Sequence, residues 1–382
     1  MKVLHICRDF VGSRVHSELY RHLEQLGIQQ VVYCAYRDNS NKYKNSNYFE
    51  SNTTTILYRP ILKLYHRVLF FLKTRKTVAD IENVVDLHEI DLIHATTVFT
   101  DGNVARALSK RHNIPYIVAA RNTDYNDFIK HAPHLWLVHR DVLKNANRII
   151  FITDRLRVKF LNHFTLKGLR DIVRAKSIIQ SNGVNNYWLQ NISSKKNFNH
   201  SILYVGNFEP TKNVVRLISA VVKLKNKYKD VHLDIVGGGG WQNKGVLKAI
   251  NQNKDIVTFH GKIYDKNVLK EFYNKCSIFA MPSIHETFGL VYIEAMSQGM
   301  RILCSKNEGI DGVFEKRVGE FVNPLDIEEI SFALERLIDS PQKYDTLSES
   351  EIKQFDWNNI AEKYIVLYNE TISEKGSNQL IK

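Results

Sequence analysis

Short apolar runs alternate with longer segments of helical periodicity along the whole chain. In the first half the apolar runs are VLHIC (3–7), QVVYCAY (30–36), DLIHA (91–95), PYIVAA (115–120), RIIFIT (148–153) and SIIQSNGV (177–184). Helical patterns lie between them, near residues 14–27, 102–112 and 135–146. Runs that are apolar throughout are typical of strands buried on both faces of a parallel sheet. The pattern therefore predicts an α/β domain whose sheet is covered by helices on both sides.

The same rhythm begins again after residue 200. The later runs are SILYVG (201–206), HLDIVGGGG (232–240), VTFHG (257–261), SIFAM (277–281) and RILCS (301–305). An Asn-, Ser- and Lys-rich segment at 182–200 has the composition of a hinge. We predict two Rossmann-like, doubly wound parallel-sheet domains, which a chain of 382 residues is long enough to form. The predicted segments are 1–185, 186–356 and a final helix within 357–382.

The segment PSIHETFGLVYIEAMSQG (282–299) holds two carboxylates, Glu286 and Glu294, with seven residues between them. It follows an apolar strand and opens a helix. N–H groups at a helix N-terminus are unpaired and favour a phosphate, and Gly289 lets a ligand approach the backbone closely. The two carboxylates would accept hydrogen bonds from hydroxyls on either side of that phosphate. The pattern predicts a sugar nucleotide, and a loop and helix with two ordinary surface glutamates is the alternative.

This segment resembles the donor-site signature of the retaining glycosyltransferases of family 4, also called group 1, in which two glutamates are separated by seven residues. The resemblance implies the GT-B fold, in which two Rossmann-like domains face each other across a cleft and a final helix crosses back to the first domain. It also implies that Glu286 contacts the transferred sugar and Glu294 the ribose of the nucleotide. Phe288, Gly289 and Leu290 would then line the donor site. By the same resemblance, the anomeric configuration of the sugar is expected to be retained.

A lysine near the start of the second domain is the next candidate. Family members usually show Gly-Arg followed by Glu-x-x-Lys here, and YVGNFEPTK keeps Gly206, Glu209 and Lys212. The Lys212 ammonium would bind the diphosphate as a point charge. Asn207 stands where the arginine is usual, so one positive charge is missing unless Arg121 or another residue supplies it. A solvated loop lysine is the alternative for Lys212.

Two further loops of the second domain match donor-side positions of the family. By this resemblance the glycine run after HLDIV places Gly237 and Gly238 beside the donor, and glycine permits close backbone approach. A plain flexible turn is the alternative. The segment FHGKIYDKN resembles the loop that holds the nucleotide base through backbone groups, here near Lys262 and Ile263.

The first domain matches the family less closely. The segment DFVGSRVHSEL joins the first strand to the first helix, and by resemblance Gly12 lies near the donor phosphates and the acceptor. Where family members often show His-Gly-x-Asp lining the cleft, this chain has RNTD, from Arg121 to Asp124, and the resemblance implies that Asp124 lies on the acceptor side. Arg121 would clamp a phosphate or an acidic acceptor but cannot carry a proton as a neutral base. A structural Arg121–Asp124 pair is the alternative, and His94, at a strand end, is either an acceptor-side residue or a structural one.

The positive charge is concentrated in the first half of the chain. Residues 1–200 contain 30 Lys and Arg against 16 Asp and Glu, whereas residues 201–382 contain 23 against 24. This excess favours an anionic partner for the first domain, such as a membrane surface or a polyanionic acceptor. No helix-turn-helix, zinc-finger or RNA-binding strand signature accompanies the charge, so a nucleic acid partner is not expected.

The segment RPILKLYHRVLFFLKTRK (59–76) supplies part of that charge. On a helical wheel it divides into an apolar face and a cationic face. The cationic face consists of Arg59, Lys63, His66, Arg67 and Lys73. Such a helix either lies on an anionic bilayer or packs its apolar face on the sheet as an ordinary domain helix.

Other features narrow the class of protein. The four cysteines lie far apart in apolar runs, which indicates free thiols in a reducing cytoplasm. No uncharged apolar run is long enough to cross a membrane, and the N-terminus lacks the pattern of a signal peptide. No Asp-x-Asp pair and no His/Cys cluster with metal spacing occurs, so neither a metal nor another cofactor is expected.

These expectations describe a cytoplasmic glycosyltransferase, located at the inner face of the cell membrane if residues 59–76 bind lipid. It would move a sugar from a nucleoside diphosphate sugar to a glycan or a lipid-linked acceptor during cell-surface polysaccharide or glycolipid assembly. A sugar-nucleotide epimerase on the same fold would instead convert the donor without an acceptor. A non-catalytic relative would scaffold a partner transferase, and Asn207 and Arg121 keep that alternative open because they replace the family's usual residues.

Overall fold

The computed structural model describes residues 1–37, 45, 49, 53–194 and 198–380. Spatial contacts divide the chain into an N-terminal unit, Met1–Gly183 with Trp357–Lys382, and a C-terminal unit, Val184–Asp356. The boundary lies inside the predicted hinge segment, of which residues 195–197 are outside the described part.

The N-terminal unit is built on a parallel sheet whose strands are the predicted apolar runs together with residues 54–59. In the described residues the strands are β1 (Lys2–Ile6), β2 (Gln29–Ala35), β3 (Thr54–Arg59), β4 (Leu92–Ala95), β5 (Tyr116–Ala120), β6 (Arg148–Phe151) and β7 (Ser177–Ile179). Their order across the sheet is β3-β2-β1-β4-β5-β6-β7, and the recorded strand pairs are parallel. Side chains on both faces, such as Val3 and Leu4, are buried because both faces are covered.

Helices connect these strands and cover the sheet. They are α1 (Arg14–Gln25), α2 (Phe70–Val84), α3 (Thr100–His112), α4 (Trp136–Asn145), α5 (Asp154–Asn162) and α6 (Arg170–Ala175). Ser13 and Thr153 accept backbone N–H bonds at the starts of α1 and α5, which explains why these helices begin there.

Residues 59–76 do not form the single helix that the helical wheel predicted. Arg59 ends β3, a short 3-10 turn covers Leu64–Arg67, and α2 begins at Phe70. The prediction was wrong because the apolar and cationic positions of a strand end, a turn and a helix start together followed a period of 3.6 residues. The guanidinium of Arg59 binds Asp80 through two hydrogen bonds, Nε to Oδ2 at 2.8 Å and Nη2 to Oδ1 at 2.7 Å. Arg59 is therefore part of the internal structure of the unit.

The C-terminal unit repeats the same architecture on a second parallel sheet. Its strands in the described residues are β8 (Ser201–Gly206), β9 (His232–Gly237), β10 (Val257–Phe259), β11 (Ile278–Ala280), β12 (Arg301–Ser305) and β13 (Gly319–Val322). The order is β10-β9-β8-β11-β12-β13, again with parallel pairs. The helices are α7 (Asn186–Gln190), α8 (Val214–Leu224), α9 (Asn243–Gln252), α10 (Lys266–Lys275), α11 (Leu290–Ser297), α12 (Ile327–Asp339) and α13 (Glu349–Lys353).

The final helix, α14 (Trp357–Leu380), belongs to the N-terminal unit. Its Trp357, Tyr364 and Tyr368 share a hydrophobic core with residues of α1 and β1. Gly183 leaves room for the Trp357 ring, because a Cβ at that position would lie 2.4 Å from a ring atom. No helix within the described ranges is long and apolar enough to cross a bilayer.

In each sheet the strand order reverses at one place. This switch lies between β1 and β4 in the N-terminal unit and between β8 and β11 in the C-terminal unit. Loops that leave the carboxyl ends of such strands open a crevice, which is where open α/β sheets bind ligands. The predicted α/β class with two doubly wound, Rossmann-like sheets is confirmed.

Candidate functional site

The loop between β11 and α11 forms a corner at the carboxyl edge of the C-terminal sheet. Gly289 precedes α11 with φ +79°, a left-handed conformation that favours glycine, and a Cβ there would lie 2.5 Å from the Tyr292 ring. The Tyr292 hydroxyl donates to the Met281 carbonyl and so ties the helix to the end of the strand. Leu290 and Val291 open the helix, so their N–H groups have no carbonyl partner within it. The corner therefore offers backbone donors to an anion.

An ion pair joins this corner to the loop that follows β8. Lys212 Nζ lies 2.5 Å from Glu286 Oε2, and the two side chains are 23% and 10% exposed. The other carboxylate oxygen, Oε1, accepts the Thr287 N–H at 3.1 Å. The carboxylate is thus held in one orientation, while the lysine keeps contact with solvent. The lysine and the glutamate were predicted from separate motifs, and the structure brings them into direct contact.

Hydrogen bonds between the two loops hold this ion pair in place. The Ile284 N–H donates to the Thr211 carbonyl at 2.7 Å. The side-chain amide of Asn213 donates to the carbonyls of Pro282 at 2.9 Å and Pro324 at 2.5 Å. Asn213 adopts φ +61°, which asparagine tolerates better than most residues. Because residues flanking the pair are bonded across the two loops, the backbone sets the spacing of the charged groups.

Glu308, which the sequence motifs did not identify, supports the same corner. Its Oε2 accepts the Glu286 N–H at 3.0 Å, and the Gly309 N–H donates to the Glu286 carbonyl at 3.1 Å. The other oxygen of Glu308 lies 3.7 Å from His285 Nδ1. Glu308 comes from the loop after β12, the neighbour of β11 in the sheet. Glu308 could have been identified from the sequence as an acidic residue just after the strand that neighbours β11.

Glu294 lies on α11 in a less polar environment. The Tyr273 hydroxyl donates to Glu294 Oε2 at 3.2 Å. Burial raises the pKa of Glu294 to about 7, and hydrogen bonds from Tyr273 and Trp188 together with the charge of Lys266 oppose that rise. The carboxyl group therefore changes charge near neutral pH, and its ionised form is an acceptor for hydroxyl donors.

Gly206 and Gly237 lie opposite each other at the ends of the neighbouring strands β8 and β9. Gly237 has φ +142°, and a Cβ there would lie 1.7 Å from the Gly206 carbonyl oxygen, so a larger residue does not fit. The Gly238 N–H donates to the same carbonyl at 3.3 Å. The carbonyl of Asn207 accepts a bond from the Tyr204 hydroxyl at 2.7 Å, while the Asn207 residue is exposed. The two glycines bring the ends of neighbouring strands close together beside the Lys212 loop.

The predicted base loop begins where β10 ends. The Gly261 carbonyl accepts the Gly237 N–H at 2.7 Å, which places this loop beside the glycine turn. Lys262 is exposed, and a Cβ on Gly239 would lie 3.2 Å from its Nζ. Ile263, the second predicted residue of this loop, is half-buried.

In the N-terminal unit, Arg121 and Asp124 form a structural pair through the Arg121 backbone N–H and not through its guanidinium. Asp124 is 1% exposed and accepts the backbone N–H groups of Arg121, Val98 and Phe99, at 2.9, 3.1 and 3.1 Å. Burial raises the pKa of Asp124 to about 6. The Arg121 guanidinium instead donates from Nε to the Thr96 carbonyl at 3.1 Å. Asp124 anchors the loop that carries Arg121, which corrects its predicted place on the acceptor side.

His94 and Gly12 complete the predicted set. His94 is 1% exposed, and its Nδ1 lies 2.8 Å from the Tyr368 hydroxyl of α14. Burial lowers the pKa of His94 well below its ordinary value, so the ring is neutral. Of the two interpretations left open by the sequence, the structure shows the structural one, because a buried ring does not contact an acceptor. Gly12 follows a 3-10 turn with φ −96°, a conformation open to other residues.

The C-terminal unit thus gathers most of the predicted site residues along one edge of its sheet. They are Gly206, Asn207, Lys212, Gly237, Gly238, Lys262, Ile263, Glu286, Phe288, Gly289, Leu290 and Glu294. The Phe288 side chain is buried, and the centre of its ring lies 5.6 Å from that of Phe355. Among the described residues, no group of three or more His, Cys, Asp or Glu side chains has the arrangement of a metal site.

Two family models match the chain, one in each unit. Residues 189–354 match the model "Glycosyl transferases group 1". Residues 12–174 match the model "Glycosyltransferase Family 4". The first match contains the Lys212–Glu286 corner, and the second contains Arg121.

Curated relatives resemble the chain over most of its length. An uncharacterized glycosyltransferase of Methanocaldococcus jannaschii is 26% identical over 357 residues, which cover 91% of this chain and 91% of the relative. The putative teichuronic acid biosynthesis glycosyltransferase TuaC of Bacillus subtilis is 22% identical over 381 residues, with 93% and 95% covered. O-antigen chain mannosyltransferase B of Escherichia coli is 24% identical over 288 residues, with 64% and 75% covered.

Solved structures share the same fold. Sucrose-phosphate synthase from Thermosynechococcus elongatus superposes with a TM-score of 0.73 at 19% identity, covering 98% of this chain and 99% of that one. Anabaena HepE in complex with UDP and glucose superposes with a TM-score of 0.69 at 18% identity, covering 97% and 100%. With two doubly wound units and a family match in each of them, the chain belongs to the group 1 glycosyltransferases of the GT-B fold.

Proposed function

We propose that this chain transfers a sugar from a nucleoside diphosphate sugar to an acceptor hydroxyl with retention of the anomeric configuration. The observation that carries the proposal is the Lys212–Glu286 ion pair beside the N-terminus of α11. A cation, a carboxylate and backbone amides without a partner in the helix meet at this corner. Each of these groups matches one part of a sugar nucleotide.

In this proposal the diphosphate lies at the start of α11, where the N–H groups of Leu290 and Val291 lack partners within the helix. The Lys212 ammonium contacts the same diphosphate and is shared between it and Glu286. Glu286 accepts hydrogen bonds from hydroxyls of the transferred sugar, and Glu294, eight residues further along, accepts them from the ribose. The glycine turn and the loop at Lys262 lie on the nucleotide side.

The reaction breaks the bond between the anomeric carbon and the oxygen of the diphosphate. The acceptor oxygen forms its bond to that carbon on the face from which the diphosphate departs, and its proton passes to the departing phosphate oxygen. Negative charge grows on the diphosphate as the bond breaks, so preorganised donors there lower the barrier. Lys212 and the helix amides meet this charge, and the proposal assigns no metal or other cofactor to the step.

The names of the relatives favour a role in cell-surface polysaccharide or glycolipid assembly. One relative is described for teichuronic acid biosynthesis and another as an O-antigen chain mannosyltransferase. The acceptor would then be a glycan or a lipid-linked saccharide on the cytoplasmic side of the membrane. The excess of positive charge in residues 1–200 suits such a surface.

A panel of nucleoside diphosphate sugars, assayed with oligosaccharide and lipid-linked acceptors, tests this function. We expect acceptor-dependent release of nucleoside diphosphate, and NMR of the product should show the anomeric configuration of the donor. An inverted product would contradict the proposed mechanism. Conversion of the donor sugar without any acceptor would show an epimerase, and the absence of release together with no thermal shift by any donor would indicate a non-catalytic relative.

A further inference from the structure

The N-terminal unit contains a cavity that none of the predicted site residues lines. Its volume is about 530 Å³, and its walls come mainly from the loops after β1, β2 and β3, the start of α2 and residues 128–135. Strands β3, β2 and β1 are consecutive across one side of the sheet, so their carboxyl ends meet at one edge. The cavity therefore lies where open α/β sheets bind ligands.

Among the described residues that line this cavity, five are cationic and none is acidic. They are Arg8, Arg37, Lys63, Arg67 and Lys73. Within the described ranges, none of these side chains forms an ion pair with a carboxylate or donates a hydrogen bond. Like charges held together in a partly enclosed space repel one another. The arrangement suits an anionic ligand.

Lys73 shows the effect of this arrangement most clearly. Burial, followed by the charge of Arg8, lowers the pKa of Lys73 to about 8. Its Nζ lies 5.1 Å from the centre of the Phe70 ring. The carboxyl group of Asp101 lines a small adjoining cavity with Arg8 and Lys73, but its oxygen already accepts a bond from Thr96 Oγ1 at 2.8 Å. The charge of Asp101 offsets only part of the repulsion between Arg8 and Lys73, and a phosphate in the main cavity would offset the rest.

His66 adds a hydrogen-bond donor to the same wall. It is 3% exposed, and its Nδ1 accepts the Lys63 N–H at 2.8 Å, so the neutral ring carries its proton on Nε2. That Nε2 is buried without a hydrogen-bond partner in the described part of the chain. A buried donor without an acceptor is costly, and an anionic oxygen would satisfy it.

Exposed apolar side chains continue from the wall of the cavity along the chain. This apolar rim consists of Leu64, Tyr65, Val68, Leu69, Phe71 and Leu72. Val68 is 80% exposed, Leu64 is 75% exposed, and Val68 also lines the cavity. Isolated exposed apolar residues are ordinary, but a contiguous group beside a cationic cavity marks an interaction site. Basic and apolar residues in one place favour an anionic lipid.

We propose that this cavity binds the phosphate or diphosphate group of a lipid-linked acceptor, with the apolar rim against its hydrocarbon chain. Because it names the acceptor of the transferase, this assignment rests on the proposed function. The cations and His66 suit phosphate oxygens. Lining side chains such as Leu62, Phe70 and Leu135 suit hydrocarbon, and a purely polar glycan would leave them without a partner.

Calorimetric titration of the full chain with three probes tests the chemistry. The probes are farnesyl diphosphate, inorganic pyrophosphate and farnesol, each in solution below its aggregation limit. We expect farnesyl diphosphate to bind at least about tenfold more tightly than either of the others, because only it carries both groups. Equal affinity for pyrophosphate and farnesyl diphosphate would overturn the lipid assignment.

Substitution of cationic residues in the cavity tests whether farnesyl diphosphate binds there. We expect Lys73→Gln and Arg8→Gln each to weaken farnesyl diphosphate binding about tenfold, the loss typical of one charge-assisted hydrogen bond. The matched control is Arg174→Gln, at a side chain 60% exposed on α6, which should bind as the wild type does. The cavity variants should melt at or above the wild-type temperature, because they relieve repulsion between like charges. Unchanged affinity in both folded variants would overturn the cavity as the site.

The apolar rim has its own test, co-sedimentation of the full chain with vesicles of phosphatidylcholine containing farnesyl diphosphate. Phe71→Ser with Leu72→Ser should reduce the bound fraction severalfold and leave binding of inorganic pyrophosphate unchanged. An unchanged bound fraction would remove the rim from the proposal.

Titration of the same protein with UDP and GDP distinguishes a failure of the cavity assignment from a failure of the proposed function. Nucleotide binding without farnesyl diphosphate binding refutes only the cavity assignment, and the reverse result refutes the proposed donor site.

Discussion

The Lys212 ammonium donates to the Glu286 carboxylate over 2.5 Å and so joins the loops that leave two neighbouring strands, β8 and β11. Each charge is neutralised by the other at the carboxyl edge of the sheet. An arriving diphosphate would share the lysine with the carboxylate and leave Glu286 with free acceptor capacity. In our proposal the ion pair is therefore the resting form of the donor site.

Lys212→Ala should lower kcat for sugar transfer about hundredfold, because the growing charge on the diphosphate loses its cation. The measurement is the rate of nucleoside diphosphate release at saturating donor and acceptor. Lys223→Ala is the matched control, since Lys223 also lies in this unit but is 47% exposed and pairs with Glu328 on the surface. Equal rates for the two variants would show that Lys212 has no role in the reaction.

Glu294 should make both stability and donor binding depend on pH. Its folded pKa of about 7 lies above the ordinary value of 4.5. The contribution to stability is therefore complete below about pH 4.5 and is lost as the pH rises through about 7. Glu294→Gln does not titrate, so it should melt at a higher temperature than the wild type at pH 8 and at a similar temperature at pH 4.

The same substitution should weaken donor binding at pH 8 by about tenfold, because the ionised carboxylate accepts hydroxyl donors better than an amide does. Calorimetric titration from pH 6 to pH 8 should show affinity rising with pH in the wild type and staying constant in Glu294→Gln. A wild-type affinity that is independent of pH would contradict the assignment of Glu294 to the ribose.

Gly237→Ala should destabilise the C-terminal unit by more than about 4 kcal/mol, because its Cβ would lie 1.7 Å from the Gly206 carbonyl oxygen. Chemical denaturation followed by circular dichroism measures the loss. Gly245→Ala is the control within α9, where the nearest atom to a new Cβ is 3.6 Å away. There alanine should stabilise by about 0.5 kcal/mol. Similar stability in both variants would mean that the glycine turn is not as close-packed as described.

Arg59→Gln should cost about 1–2 kcal/mol of stability at neutral pH, because it breaks the two hydrogen bonds to Asp80. Hydrogen bonding to Arg59 holds the pKa of Asp80 below 3.8, so this contribution is present above that pH and lost as the pH falls through the lowered value. Arg75→Gln, at an exposed position on α2, is the control. Equal stability of the Arg59→Gln and Arg75→Gln variants would show that the hydrogen bonds to Asp80 contribute nothing to the stability of the unit.

The fold and the corner between β11 and α11 were predictable because their signals are local. Continuous apolar runs predicted the strands, and one segment of 18 residues carries Glu286, Gly289 and Glu294 together. Strands and their adjoining loops are predicted from residues that are close together in the sequence, so one sequence was sufficient to predict them.

The cationic cavity was not predictable because its residues come from the ends of three strands. Arg8, Arg37 and Lys63 follow β1, β2 and β3, and only the order of strands in the sheet brings them together. Glu308 was missed for the same reason, since it reaches Glu286 from the loop after the neighbouring strand. His94 was assigned to the acceptor side from its position at a strand end, and Asp124 from its match to a family motif. Neither signal distinguishes a buried anchor from an exposed contact.

The most direct test of the central claim is a crystal structure of the chain with a bound nucleoside diphosphate sugar. We predict that the diphosphate lies within hydrogen-bonding distance of the Leu290 N–H and Lys212 Nζ, with Glu286 on the sugar hydroxyls and Glu294 on those of the ribose. A nucleotide bound elsewhere, with the Lys212–Glu286 pair intact and both glutamates free of it, would contradict the account.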